Sequence, residues 1–360
     1  MNSPSLIKDL YLHIPFCTGK CAYCAFHSGL PPPHPENYVD TLIEMSRPYL
    51  SSLAPLQTVY CGGGTPGLLG VEGFKRLSQA PFMILDKDYE WSVELHPTTC
   101  TPLLLETLAK LGVNRISIGV QSFSDATLLA CNRRHTAQQA RDAIALARSF
   151  IPDTGIDLIA GLPGIDEMLW QKTLEEVIAL DLPHLSVYGL SIDEGSRWHR
   201  EGRPSPDPDL LCDGLAVAAE MLTAAGFERY ETSNYAKPGY RCKHNLNTWR
   251  GGDYLGLGEG AASRLGRQRC DGFGQITTLT SLEDALERVL THLRLCDGFP
   301  LETLLSRFPI LEPYREAWKK TLKAFEQYGL LTARGAPTTR GYEVLDAITR
   351  AFYSEAEAFQ

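Results

Sequence analysis

Short apolar runs alternate with amphipathic helical stretches through the first two thirds of the chain, and no other feature limits its fold so strongly. The runs are Leu10–Ile14, Thr58–Cys61, Trp91–Leu95, Arg115–Val120, Gly155–Ala160 and His184–Leu190; helical patterns lie near 36–51, 71–80, 101–111, 136–149, 168–180 and 208–225. Strands separated by helices pair in parallel, with the helices covering the sheet. Thr101-Pro102 and Thr136 are helix-start signals, and Gly112 and Gly226 fall where helices should stop. The fold class that follows is α/β, a partial (β/α)6 barrel with a small, mainly helical, winged-helix-like C-terminal region, and 360 residues suffice for both.

Barrels of this kind gather functional residues at the C-terminal ends of their strands. Those ends here are polar or glycine-rich: Gly62-Gly63-Gly64-Thr65-Pro66, Glu94, Gln121-Ser122 and Gly161-Leu162-Pro163-Gly164. The first strand leads into a loop with Cys17, Cys21 and Cys24 inside eight positions. Thiolates this crowded repel one another unless a metal or cluster holds them. Four readings compete: a Cys3His zinc site completed by His27, a redox pair at Cys21 and Cys24, three unrelated cysteines, and an iron–sulfur cluster held by three thiolates with one iron left open.

Composition narrows the setting. No apolar run approaches the roughly 18 residues of a membrane span, and the N-terminal residues lack a signal core. Ten cysteines without an export signal point to a reducing, cytoplasmic compartment. A net charge of −9 speaks against nucleic acid as a partner. Residues 193–209 read as a long loop, and 231–281 are rich in Gly and Asn with little periodicity. From 282 onward helical runs return at 282–296, 313–328 and 341–353, with a turn or hairpin at Leu330–Pro337; twelve Asp and Glu against ten Lys and Arg there disfavour a DNA-reading wing. The expected division is a barrel over 1–225, a connecting segment over 226–281 and a C-terminal helical domain over 282–360.

The cysteine spacing, together with Val93-Glu-Leu-His-Pro, Ile118-Gly-Val-Gln-Ser-Phe, Asn132-Arg-Arg and Ile156-Asp-Leu-Ile-Ala-Gly-Leu-Pro, resembles the radical S-adenosylmethionine (SAM) superfamily. From about Leu10 to Ser263 the chain is similar to the HemW family of radical SAM heme chaperones, and more distantly to the HemN coproporphyrinogen III dehydrogenases. The resemblance implies a [4Fe-4S] cluster on Cys17, Cys21 and Cys24. It also implies SAM contacts from Tyr11, Tyr23, Gly63, Gly64, Thr65, Glu94, Gln121, Arg133 and Asp157, with Ser191 and Ala262 as looser matches. On the residues alone, Glu94, Gln121, Arg133 and Asp157 suit charge-assisted hydrogen bonds to a ligand, and equally a salt bridge or a cap.

Residues 230–258 resemble the HemW segment around a His-Asn-x-x-Tyr-Trp motif, which implies heme binding with His244 as iron ligand and Trp249 against the macrocycle. Thr248 stands where the family has Tyr, and Ala262 where it usually has His. The alternative for His244 is a hydrogen-bonded loop histidine, and Cys242 is an alternative iron ligand. Two departures from HemN favour the chaperone: Phe26 replaces a further cysteine, and only sixteen residues precede Cys17. The resemblance thus implies SAM cleavage and heme delivery to respiratory proteins, with a small flavodoxin- or ferredoxin-type electron donor and membrane contact only through a partner. Oxidative decarboxylation of coproporphyrinogen III, or another tetrapyrrole modification, is the alternative.

Overall fold

The computed structural model describes residues 6–357. Met1–Ser5, part of the segment read for a signal sequence, and 358–360 at the end of the expected C-terminal domain lie outside the described residues. The barrel elements in chain order are β1 (Ile7–Ile14), α1 (Tyr38–Ser46), β2 (Leu53–Gly63), α2 (Gly70–Ser78), β3 (Leu85–Leu95), α3 (Pro102–Leu111), β4 (Arg115–Gln121), α4 (Asp125–Ala130), α5 (Ala137–Phe150), β5 (Thr154–Ala160), α6 (Glu167–Ala179), β6 (His184–Gly189), α7 (Arg197–Arg200) and α8 (Pro208–Ala224). All six expected strands are present, and β1, β2 and β3 begin three to six residues earlier than their apolar runs.

The helices start and stop where local chemistry directs. Thr136 and Gln139 form a reciprocal capping box at the start of α5. Thr101 Oγ1 accepts from Leu104 N–H ahead of α3, which ends at Gly112 with φ 96°. Such caps satisfy amides that a helix start leaves unpaired.

β1 to β6 pair in parallel in sequence order. The segment expected as a connector adds three strands to the same sheet: β7 (Glu228–Arg229) and β8 (Asn234–Ala236) lie antiparallel beyond β6, separated by the helix α9 (Lys243–Trp249) from β9 (Leu255–Leu257), which pairs in parallel with β1. The sheet order is β7-β8-β6-β5-β4-β3-β2-β1-β9, an open barrel. A separate antiparallel meander follows, of β10 (Ser263–Leu265), β11 (Gln268–Cys270) and β12 (Ile276–Thr278). These strands are only two or three residues long, too short for a period of two to stand out in the sequence.

α10 (Ser281–Leu290), α11 (Leu301–Arg307), α12 (Arg315–Gln327), α13 (Thr339–Glu343) and α14 (Leu345–Glu357) close the chain around their own core, which includes Leu286, Val289, Phe299, Trp318 and Phe352. Leu331 and Pro337 form an antiparallel bridge where the hairpin was expected.

Each barrel strand separates two environments. Leu10, Leu12, Ile14, Val59, Cys61, Val93, Ile116, Ile118, Ile156, Leu158 and Leu185 pack into the main core. The alternate residues are polar: Asp9, Tyr11 and His13 on β1, Thr58 and Tyr60 on β2, Glu90, Ser92 and Glu94 on β3, Ser117 on β4, Asp157 on β5, and His184, Ser186 and Tyr188 on β6. Successive strand residues point to opposite faces, so the second set lines the barrel interior.

Candidate functional site

At the rim where β1 to β6 end, the loops assemble around the cysteine segment. Cys17 N–H donates to Gly29 O at 2.8 Å and Gly29 N–H to Pro15 O at 2.8 Å, which pinches the base of the cysteine loop. Ala22 N–H donates to Cys131 O at 2.9 Å, and Asn132, with φ 57°, donates from Nδ2 to Lys20 O at 2.9 Å. Cys17, Cys21 and Cys24 are all half-buried and free. Burial, ahead of any neighbouring charge, raises the Cys24 thiol above its ordinary range.

Three neighbours meet these thiols or frame them. Thr65 Oγ1 lies 3.7 Å from Cys17 Sγ. Arg133 Nη1 donates to Cys21 Sγ at 3.4 Å, and its Nη2 bonds Gly119 O. The glycine run makes room for the protein itself: a Cβ on Gly62 would sit 3.0 Å from Glu94 Oε2, one on Gly63 2.7 Å from the His13 ring, and one on Gly64 2.6 Å from Phe16 O.

Glu94 accepts from Tyr60 O–H at 2.8 Å. Burial and then the Asp157 charge push its carboxyl up to about 7. Asp157 accepts from Ser117 Oγ at 3.0 Å and is itself raised, chiefly by burial. Gln121 occupies a left-handed backbone conformation, φ 68°, rare for a side chain of its size. Its Oε1 and Arg133 Nε are buried with no hydrogen-bond partner. Unpaired polar atoms at this depth cost about 1–3 kcal/mol each, so two of them on one rim mark a place built for polar contact with something else.

Tyr11 O–H lies 3.1 Å from His13 Nδ1, and His13 Nε2 lies 3.0 Å from His27 O. A carbonyl only accepts, so Nε2 carries the His13 proton and Nδ1 accepts from Tyr11. Tyr23 is half-buried within the loop. Ala262 lies in the turn after β9, whose Gly258 and Gly260 approach His13. Ser191 is exposed and donates to Asp193 on its own loop. His96 and His135, which sequence reasoning passed over, pair at 3.3 Å between Nε2 and Nδ1. Burial and then the Arg133 charge hold both neutral, at about 2 and about 4.

Among the described residues no three His, Cys, Asp or Glu side chains are grouped to hold a single metal ion. His27 instead faces Glu259 at 3.6 Å, half exposed. Residues 11–177 match the radical SAM superfamily. The Escherichia coli (strain K12) heme chaperone HemW is 39% identical over 268 residues, 71% of this chain and 70% of that protein. The Synechocystis HemW is 34% identical over 321 residues, 80% and 78% of the two chains. The chain belongs to the HemW family. Its fold is that of E. coli coproporphyrinogen III oxidase, HemN, with TM-score 0.80 over 97% of this chain and 91% of that one at 21% identity.

The segment that resembles the HemW histidine motif lies at the other end of the barrel. Asp9, Thr58 and Glu90 form one row across β1, β2 and β3, near the start of β1 and at the middle of β2 and β3, two rows below Tyr11–Tyr60 and away from the rim. Glu90 receives the start of α9: Lys243 N–H donates at 2.9 Å, His244 N–H at 3.2 Å and Cys242 Sγ at 3.3 Å. Thr58 Oγ1 donates to Asp9 Oδ1 at 2.7 Å, so it accepts from His244 Nδ1 at 2.8 Å, and the lone pair of the ring is on Nε2. Burial lowers His244 to about 4 and keeps the ring neutral. The ring stacks on Tyr60 at 5.2 Å, near Tyr11 and Tyr254.

His244 is therefore hydrogen-bonded on one side and unprotonated on the other. Trp249 does not join it. Five residues apart on a helix is about 140° of rotation, and Trp249 packs in a cluster with Cys242, Leu246 and Leu295, under the Arg294 guanidinium at 4.8 Å. Cys242 is buried as a thiol, raised by burial first and then by the Glu90 charge. That environment opposes the thiolate an iron ligand requires. A cavity of about 530 Å³ opens beside α9, lined by Asp9, Thr58, Lys243, Leu246 and Asn247 among others.

The polar lining missed by motif matching, Asp9, His13, Thr58, Tyr60 and Glu90, was available from the alternation of polar and apolar residues along β1 to β3.

Proposed function

We propose that the chain is a radical SAM heme chaperone, which binds heme and passes it to respiratory enzymes. Membership of the family implies a [4Fe-4S] cluster and SAM, and the residues on the rim suit both. The observation that carries the reading is the pair of orphaned buried atoms, Gln121 Oε1 and Arg133 Nε, beside three free half-buried thiols. The cluster, when bound, supplies the electron for reductive SAM cleavage. Cys17, Cys21 and Cys24 are its three protein ligands in this reading, and the Arg133 guanidinium, already hydrogen-bonded to Cys21 Sγ, helps to orient that side chain. Tyr11, Tyr23, Gly63, Gly64, Thr65, Glu94, Gln121 and Asp157 take the SAM contacts, with Ser191 and Ala262 at the margin.

For heme, the support is the state of His244. A neutral imidazole with Nδ1 fixed by a Thr58–Asp9 relay leaves Nε2 unprotonated and oriented, the arrangement that outer partners impose on ligating histidines. Trp249, on another face of α9, acts in this reading as part of the neighbouring surface. The division into a barrel, a 226–281 segment and a C-terminal helical domain from 282 is our reading of the organisation. So are a cytoplasmic location and a flavodoxin- or ferredoxin-type donor. Among the described residues no helix is long and apolar enough to cross a membrane; contact with a membrane through a partner belongs to the same reading.

Anaerobic reconstitution with iron and sulfide tests the cluster: the wild-type protein should gain cluster absorbance and cleave SAM when reduced, and Cys21→Ala should lose both. Uptake of zinc without iron and sulfide ends this reading. Incubation of the reduced protein with SAM and coproporphyrinogen III separates the two functions, because formation of protoporphyrinogen would identify the dehydrogenase instead.

A further inference from the structure

Residues 193–209, read from the sequence as a long loop, fold against the outer side of the cysteine loop. Ser196 is buried, and its Oγ accepts from His199 N–H at 3.1 Å to start the single turn of α7. That turn directs Trp198 inward until only 2% of it is exposed. Trp198 N–H donates to Ala22 O at 2.9 Å, and its indole lies 6.0 Å from the Tyr23 ring in a small apolar cluster with Ala22, Cys131, Leu162 and Leu190. Arg203 closes the outside: its N–H donates to Trp198 O at 2.9 Å and its guanidinium stacks 4.1 Å from the indole.

Ala22 is thus gripped on both sides, its amide by Cys131 O and its carbonyl by Trp198 N–H, between Cys21 and Cys24. The two grips come from residues more than one hundred positions away in the chain, and they fix the turn between Cys21 and Cys24. We propose that Trp198, backed by Arg203, is a positioning residue that holds the Cys21–Cys24 turn in register with Arg133 for the cofactor. The inference rests on the cluster reading above. It adds a role for a segment outside the cysteine and glycine motifs. Loss of an outer partner of a metal ligand typically costs 10–100-fold in affinity or activity, and the same scale applies to a grip one residue from Cys21 and two from Cys24.

The test compares wild type, Trp198→Ala, Trp198→Phe and Arg203→Ala, first without metal and then after reconstitution. In the metal-free protein, iodoacetamide labelling mapped by mass spectrometry should modify Cys21 and Cys24 about tenfold faster in Trp198→Ala than in wild type, with Trp198→Phe restored towards wild type. After reconstitution, electron paramagnetic resonance of the reduced cluster should show a weakened SAM-induced shift in Trp198→Ala and a SAM Kd raised about tenfold. Wild-type labelling rates and an unchanged SAM-induced shift in Trp198→Ala overturn the proposal. If Trp198→Ala fails to fold by circular dichroism, the exposed Arg203→Ala decides, with labelling expected to rise about threefold for the lost stacking; an unchanged rate overturns the proposal there too. A wild-type protein that binds no iron or sulfide defeats the cluster reading instead, and leaves the labelling result standing by itself.

Discussion

At the scale of single residues, the two ends of the barrel interior are tuned in opposite ways. Glu94 has its folded carboxyl raised to about 7 from an ordinary 4.5, so it contributes stability that is fully present below pH 4.5 and lost as pH rises through 7. Replacing it with Gln removes that loss. The melting temperature of Glu94→Gln in the metal-free protein should therefore rise relative to wild type between pH 5 and 8, with a limit of about 3 kcal/mol for a shift of this size; a difference independent of pH would show that Glu94 is not the titrating group. At the other end His244 is neutral across that range, and its role is read through its partners. His244→Ala leaves Thr58 without a donor and is expected to cost about 1–3 kcal/mol in urea denaturation. It should also weaken heme binding in a titration followed by Soret absorbance, and unaltered binding would remove His244 as the ligand.

At the scale of elements, the glycine run shows how a loop can be specified by its neighbours. Gly63 combines φ 111° with a Cβ position 2.7 Å from His13, so Gly63→Ala should destabilise the protein by about 1–3 kcal/mol in chemical denaturation; a neutral result would mean that His13 moves freely. The strands β1 to β6, each six residues or longer, and the helices α1, α2, α3, α5 and α6, each nine or longer, were legible in the sequence because each repeats a clear period. α4, α7, α9 and β7 to β12 were not, since two to seven residues carry no measurable period and their placement is decided by distant partners. The same division runs through the site. The three cysteines and Gly62–Thr65 are contiguous and readable as strings, whereas the Asp9–Thr58–His244 relay joins three separate elements and exists only once β1, β2 and α9 have met. His244 and Trp249, close together in the motif, lie about 140° apart around α9, because adjacency in a motif is not adjacency on a helix.

At the scale of the whole molecule, one buried arginine ties the C-terminal helices to the barrel. Arg288 on α10 donates to Gly251 O at 2.6 Å, Asp253 Oδ1 at 2.6 Å and Asp284 Oδ1 at 2.8 Å, and also reaches Gly266 O. Gly251 and Gly266 flank β9 and β10, so this side chain fastens the turn after α9 and the base of the meander at once. Arg288→Ala should cost about 3–5 kcal/mol, because it strands buried acceptors and a carboxylate. Hydrogen exchange should then quicken across 250–266 and leave β2 to β5 unchanged; uniform quickening would argue for general unfolding instead. The pairing of β9 with β1 has a consequence for how the chain is made. The first strand leaves the ribosome with one edge destined for residues some 240 positions later. At about 5–20 residues per second that edge waits roughly 12–50 s for its cover, and an uncovered strand edge is a template for pairing with other chains. The newborn protein therefore passes through a long interval in which its most functional strand is also its most adhesive one.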